Sequence, residues 1–76
     1  MNPFHGKKIA VTGKLLNYTR QDIHSRLLEL EAKPVSVVSR NTDYLIAGAN
    51  AGSKLNKAKA LGITVLAEWE FENIAN

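Results

Sequence analysis

A chain of 76 residues accommodates one domain with one small hydrophobic core, and it is too short for a large substrate cleft covered by a lid. Hydrophobic residues make up 45% of the chain and charged residues 22%, values that exclude a disordered tail and a fibrous protein. The sequence contains no cysteine, which excludes disulfides, thiolate metal sites and thiol chemistry, while its net charge of +3 favours an anionic partner only mildly.

The sequence carries no signal for a membrane or for secretion. No window approaches the ~20 apolar residues of a membrane span, and the N-terminal MNPFHGKK lacks the apolar segment of a signal peptide. Since the lack of cysteine agrees with a reducing compartment, the sequence predicts a cytoplasmic domain without membrane contacts.

The first half of the chain alternates between strand and helix patterns. Residues 8–12 form a short β-branched, apolar run closed by Gly13, which predicts a buried strand. Thr19 then opens a sequence resembling a capping box, and apolar residues follow at helical spacing, namely Ile23, Leu27, Leu28 and Leu30. Residues 34–38 predict a second strand, which belongs at a sheet edge because it starts with a proline.

The second half repeats the alternation. Residues 44–47 predict a third strand, ended by Gly48. Ser53 is predicted to cap a second helix that runs to about Leu61, where Gly62 stops it.

A fourth strand and a final helix complete the chain. Residues 63–66 predict the strand, and the helix starts at Glu68 with apolar surface from Trp69, Phe71 and Ile74. The order βαββαβα implies a mostly parallel sheet with helices on both faces. The short connection at residues 39–43 indicates instead an antiparallel hairpin at that point, so the patterns leave both pairings open. The expected core positions include Leu27, Ile46 and Leu66.

The start of the second helix matches neither of two phosphate-binding motifs. A Walker A loop is excluded because Gly48 and Gly52 are one residue too close and Ser53 precedes the lysine, and no GxGxxG fingerprint is present. What remains is a glycine turn before a helix with Lys54 in its first turn and Lys57 one turn later. A cation there opposes the helix dipole by roughly 0.3–1 kcal/mol, which a bound anion would reverse. The alternative is two solvated surface lysines.

Other candidates lie at the same edge of the predicted sheet. Thr12 and Gly13 end the first strand, and Arg20 lies in the first turn of the next helix. In an open α/β sheet, anions bind at the carboxyl ends of the strands, where helix N-termini also gather. A hydroxyl, a free amide beside a glycine, an arginine and a lysine suit a phosphate. Taken singly, Thr12 is also an ordinary strand-end residue and Gly13 an ordinary turn residue.

Several segments together resemble the BRCT family: GKKIAVTGKL, then Thr-Arg, then SVVSRNTDYLIAG and AGSKLNKAKALGITVL. The sequence is most similar to the BRCT domain at the C-terminus of bacterial NAD-dependent DNA ligases and to that of clamp-loader large subunits. The resemblance runs from about Phe4 to Ile74, so residues 1–76 are expected to be a single BRCT domain with its core at about 4–74. It implies a four-stranded parallel sheet of order 2-1-3-4, with one helix on one face and two on the other, in place of the hairpin.

The resemblance also implies a site. In members that bind phosphate, a strand-end Ser or Thr, the glycine after it and a helix lysine hold the anion, which here are Thr12, Gly13 and Lys57. The clamp-loader type adds an arginine that matches Arg20. Lys54 and Ser53 are further candidates.

The expected function is that of a noncatalytic module of DNA replication or repair, with a ligase, an exonuclease and a free-standing small protein as the alternatives for the protein that carries it. It would dock DNA ends or nicked duplex through a 5′-phosphate, with no cofactor or metal. The alternative is a protein-interaction module that binds a phosphorylated or acidic segment. A single BRCT domain lacks the second repeat that reads residues around a phosphoserine, which favours DNA.

Two features depart from or refine the family pattern. Glu31 and Ala32 replace the usual Gly-Gly or Gly-Ala after the first helix, so a tight turn must form there without glycine. The aromatic residue of the last helix is expected to be Phe71, with Trp69 as the alternative, and its role is core packing.

Enzymatic chemistry finds no support in the titratable residues. His5 and His24 have no third ligand at metal spacing and no nucleophile near them in sequence, so both are expected at or near the surface. Asp22 and Asp43 are better explained by cap and turn roles than by acid–base catalysis.

Overall fold

The computed structural model describes residues 2–75 as a parallel sheet flanked by helices. Its elements are β1 (Lys8–Thr12), α1 (Arg20–Glu29), β2 (Lys33–Pro34), β3 (Tyr44–Ala47), α2 (Ser53–Ala60), β4 (Thr64–Ala67) and α3 (Glu68–Ala75). The strands lie in the order β2-β1-β3-β4, and every pair of neighbours is parallel. This confirms the four-stranded sheet with three helices. The hairpin is wrong, because β1 lies between β2 and β3.

The second strand is shorter than the predicted residues 34–38. Only Lys33 and Pro34 pair with β1, through bonds from the Lys33 amide to the Lys7 carbonyl (2.7 Å) and from the Val35 amide to the Ile9 carbonyl (2.9 Å). Pro34, which has no amide proton, falls between these two donors, so the edge position is confirmed. Val38 is apolar because it is buried against the sheet in the crossover to β3, and not because it belongs to a strand.

Two hydrophobic clusters lie on opposite faces of the sheet, since successive strand residues point to opposite sides. The larger cluster packs α1 and α3 against one face, and its members include Ile9, Ile23, Leu27, Ile46, Leu66 and Phe71. The smaller cluster packs α2 against the other face and contains Ala10, Val38, Leu45 and Ala58. The division into two helices and one helix is therefore confirmed, as is the burial of the three predicted core residues, Leu27, Ile46 and Leu66.

The apolar residues of the helices divide between core and surface. Phe71 is fully buried, and its ring centroid lies 5.3 Å from that of Phe4, which confirms its packing role. Trp69, Ile74 and Leu28 are exposed instead. None of the helices in residues 2–75 combines the length and apolar character that crossing a bilayer needs.

The sequence predicted the cap of α1 correctly and the cap of α2 wrongly. At α1, the Thr19 hydroxyl accepts from the Asp22 amide (3.0 Å) and the Asp22 carboxylate accepts from the Thr19 amide (3.4 Å), which confirms the capping box. At α2, the predicted Ser53 cap is wrong. Gly52 holds the cap position and its carbonyl accepts from the Leu55 amide (3.1 Å), so Ser53 is already the first helical residue and no side chain caps the helix.

Both α1 and α2 end in the same hydrogen-bonded turn. After α1, the Glu31 and Ala32 amides donate to the Leu28 (3.0 Å) and Leu27 (2.9 Å) carbonyls, which is a Schellman motif. That motif places a left-handed residue after the cap, and α2 uses Gly62 there (φ +72°). The α1 turn forms without glycine because Glu31 itself adopts φ +60°.

Candidate functional site at the carboxyl edge of the sheet

The loops after β1 and β3 are fixed to each other where the strands end. The Gly48 amide donates to the Thr12 carbonyl (2.9 Å), and Lys14 and Ala49 exchange two backbone hydrogen bonds of 2.8 and 2.9 Å. Because all strands are parallel, α1, α2 and α3 also begin at this edge. The loops at this edge therefore form a backbone frame that is held by main-chain bonds.

Gly13 is required by this frame. Its φ is +78°, and a Cβ atom there would lie only 2.7 Å from the Ala49 carbonyl oxygen. A Cβ on Gly48 would likewise collide with the Lys14 backbone, so the two glycines allow the loops to approach each other. Within residues 2–75 the Gly13 amide donates to no acceptor. This donor is therefore not used by the main-chain bonds that hold the two loops together.

The three helix N-termini at this edge differ in charge. Asp22 lies in the first turn of α1 and belongs to its capping box, and α3 begins with Glu68 and Glu70. Helix α2 has no side-chain cap and no acidic residue in its first turn, and it carries Lys54 there. Among the helices of residues 2–75, α2 alone offers its first-turn amides and the positive end of its dipole without a competing carboxylate.

The two lysines of α2 have different environments. The Lys54 ammonium donates to the Ser36 carbonyl (2.9 Å), so this half-buried side chain ties α2 to the crossover after β2. Lys57 is exposed, about 60° around the helix from Lys54, and Ser53 is exposed at the helix start. The two ion pairs within residues 2–75 join His5 to Glu31 and Arg26 to Glu29, so neither lysine is neutralised by a salt bridge there.

Arg20 lies between two adjoining cavities. The first, of about 540 Å³, is lined by Gly13, Lys14 and Arg20, among other residues. The second, of about 350 Å³, is lined by Arg20, His24 and Lys54 over an apolar floor. The structure thus brings Gly13 to Arg20 in one cavity and Arg20 to Lys54 in the other.

Thr12, Ser53 and Lys57 line neither of these cavities. Since side chains alternate along β1, Thr12 shares the face of Ala10, whose cluster includes Ala58 of α2. Thr12 and Lys57 therefore belong to the α2 side of the edge and Arg20 to the α1 side, with Gly13 between them.

Three contributors to this edge were missed by the sequence interpretation. Gly48 was read only as a strand end, and Lys14 was not considered, although it lines the first cavity. The Glu68 carboxylate accepts from the amides of Leu16 (2.6 Å) and Asn17 (2.7 Å), fixing the loop after β1 to α3. No sequence signal marks this bond, because its partners are 51 and 52 residues apart.

The histidines and the turn aspartates have structural explanations. His5 Nε2 lies 3.1 Å from a Glu31 carboxylate oxygen at the surface, and His24 is exposed. Asp43 accepts from the Lys8 amide (2.9 Å), 35 residues away, so its carboxylate ties the segment before β3 to the start of β1 and makes no local turn bond within residues 2–75. Residues 2–75 contain no group of three or more His, Cys, Asp or Glu side chains suited to a metal ion.

Comparisons with known proteins agree with the fold. Residues 1–73 match the family described as the BRCA1 C Terminus (BRCT) domain. A protein named DNA ligase from Clostridium perfringens (strain SM101 / Type A) is 55% identical over 73 residues, which are 96% of this chain and 11% of that protein. A protein named DNA ligase from Pediococcus pentosaceus is 55% identical over 88% of this chain and 10% of that protein. Another protein of that name, from Rhodopirellula baltica, is 52% identical over 91% of this chain and 10% of that protein. The chain thus spans about a tenth of the relatives it matches.

Proposed function

This chain belongs to the BRCT family, and from that premise we propose that it is a noncatalytic module that docks DNA ends or nicks through a 5′-phosphate. The relatives are named DNA ligases, which supports a parent protein that acts in DNA replication or repair. A module that grips a DNA terminus would keep such an enzyme at the break it acts on.

The observation that carries the proposal is the start of α2. Its amides have no side-chain cap, its first turn has no acid, and Lys54 lies where a cation opposes the helix dipole. A terminal phosphate bound there would accept hydrogen bonds from the amides and would make the same lysine favourable.

The remaining candidates supply the other contacts of such a phosphate. The free Gly13 amide and the Thr12 hydroxyl approach from the end of β1, and Lys57 adds charge from the next turn of α2. Arg20 would bind a phosphate oxygen, or the following phosphate of the strand, from the α1 side. The Lys54 ammonium already donates to the Ser36 carbonyl, so Lys54 would contribute to phosphate binding partly through the position of its charge and not only through a hydrogen bond.

The proposal is tested by comparing duplexes that differ only in a 5′-phosphate or a 5′-hydroxyl. The phosphorylated end should bind more tightly, and Lys57→Glu should abolish the preference because it puts a negative charge beside the anion. Charge-assisted contacts are worth roughly 1.5–3 kcal/mol each, so Lys57→Glu should weaken binding at least tenfold.

Lys59→Glu is the matched control. It makes the same change in net charge on the same helix, but about 200° around the axis from Lys57, so it should weaken binding only a few-fold through long-range charge. Equal effects from the two substitutions would leave α2 as a general basic surface. If instead a phosphoserine peptide bound with the same dependence on Lys57 while DNA did not bind, the anion would come from a protein.

A further inference from the structure

The most exposed large apolar side chain lies beside the edge just described. Leu16 is 91% exposed on the loop after β1, and Trp69 is 66% exposed on the first turn of α3. Scattered apolar residues on a surface need no explanation. These two, however, lie on neighbouring segments, because the Glu68 carboxylate that accepts from the Leu16 amide at 2.6 Å precedes Trp69 in the chain.

The backbone beneath this surface is held in place. Besides the two bonds to Glu68, the Asn17 side-chain amide donates to the Glu72 carboxylate (2.8 Å). Charge-assisted bonds of this kind are shorter and stronger than neutral ones. The loop therefore presents Leu16 to solvent in a fixed position, at little further entropic cost to a ligand.

The charge of α3 decides what can bind there. The helix carries Glu68, Glu70 and Glu72 with no lysine or arginine, in a chain whose net charge is +3. Helix α2 has the opposite composition, with three lysines and no acid. Like charges repel nucleic acid and anionic lipid from α3, whereas a cationic segment is attracted to it.

We propose that Leu16, Trp69 and the carboxylates of α3 form a docking surface for a lysine- or arginine-rich segment of a partner protein. The face of Trp69 attracts a cationic side chain, the aliphatic stem of that side chain packs on Leu16, and the glutamates supply complementary charge. The domain would then bind DNA at α2 and a basic protein segment at α3. This surface adjoins the phosphate site, because Leu16 lines the first cavity together with Gly13 and Arg20. Trp69 lines neither cavity, so its environment reports on the α3 side of the surface.

Fluorescence tests this directly, because Trp69 is the one tryptophan of the chain. The probes are a 14-residue peptide of lysine, leucine and alanine, and the same peptide with glutamate at every lysine. The cationic peptide should shift Trp69 emission to shorter wavelength with an affinity that falls as salt rises, and the anionic peptide should not. Leu16→Ala should weaken the cationic peptide about fivefold or more. It leaves the backbone bonds to Glu68 intact.

Leu28→Ala is the matched control, since Leu28 is also exposed (54%) but lies on α1 and not on the loop that Glu68 holds; it should leave the peptide affinity unchanged. A 5′-phosphorylated duplex should bind without shifting the emission. The proposal is overturned if the cationic peptide causes no shift, if the anionic peptide causes the same one, if the two leucine variants behave alike, or if DNA produces the shift.

Discussion

Replacing Glu31 by glycine should stabilise the domain, although it removes a charged side chain. Glu31 holds the left-handed position of the turn after α1 at φ +60°. That conformation costs a residue with a Cβ roughly 1–2 kcal/mol, while glycine loses roughly 0.5–1 kcal/mol more backbone freedom on folding. The net expectation is a gain of about 0.5–1 kcal/mol in the free energy of unfolding.

The contacts of Glu31 do not change this sign. Its carbonyl accepts from the Gly6 amide (2.8 Å) and its amide donates to the Leu28 carbonyl, and both are backbone groups that glycine keeps. The side chain contributes only the exposed pair with His5, and such surface pairs contribute little.

Urea and thermal unfolding measure the effect. For a domain of this size, 1 kcal/mol corresponds to roughly 4–8 °C in Tm, so Glu31→Gly should raise Tm by about 2–8 °C. Glu29→Gly makes the same chemical change in the last helical turn and should lower stability by up to about 1 kcal/mol. A destabilised Glu31→Gly, or the same sign for both variants, would refute the assigned turn.

Three further predictions concern the core, the glycines and DNA binding. Truncating Leu27, Ile46 or Leu66 to alanine should each cost roughly 2–5 kcal/mol in urea unfolding, and a loss below ~0.5 kcal/mol at all three would contradict the packing described. Gly62→Ala should cost about 1 kcal/mol in the free energy of unfolding, because its φ of +72° disfavours a Cβ although the space around it is open. Gly13→Ala should cost clearly more, because its Cβ would also collide with the Ala49 backbone. Equal losses would show that the loops after β1 and β3 can move apart to accommodate the Cβ. The affinity for DNA should fall with salt at a log–log slope near −0.9 for each duplex phosphate neutralised, and a salt-independent affinity would exclude phosphate contacts.

Local patterns predicted the fold well where the deciding interactions are local. The capping box of Thr19 and Asp22 is complete within four residues of sequence, and the strand at residues 8–12 is defined by its own composition. The predicted second strand is too long because Val38 is apolar for a tertiary reason, its burial against the sheet from within the crossover. The cap of α2 was misplaced by one residue, since Gly52 and Ser53 both suit that position.

In the candidate site, too, local sequence signals identified some residues, while those whose roles depend on long-range contacts were missed. Thr12, Gly13 and Arg20 were found because strand ends and helix starts mark the carboxyl edge in the sequence itself. Gly48 and Glu68 were missed because their roles depend on contacts between segments far apart in the chain. The open N-terminus of α2 became apparent only when its cap proved to be Gly52.

If a DNA 5′-phosphate binds at the start of α2 and at the Gly13 amide, an NMR titration of the backbone amides with a 5′-phosphorylated duplex will detect it at those residues. The amide protons of Gly13, Ser53 and Lys54 should move to lower field as they donate to the phosphate, while those of Thr19 and Asp22, already committed to the α1 capping box, should move little. A 5′-hydroxyl duplex should not produce these shifts. Shifts that were equal for the two duplexes, or that concentrated on α1 or α3, would show that the 5′-phosphate does not bind at the start of α2.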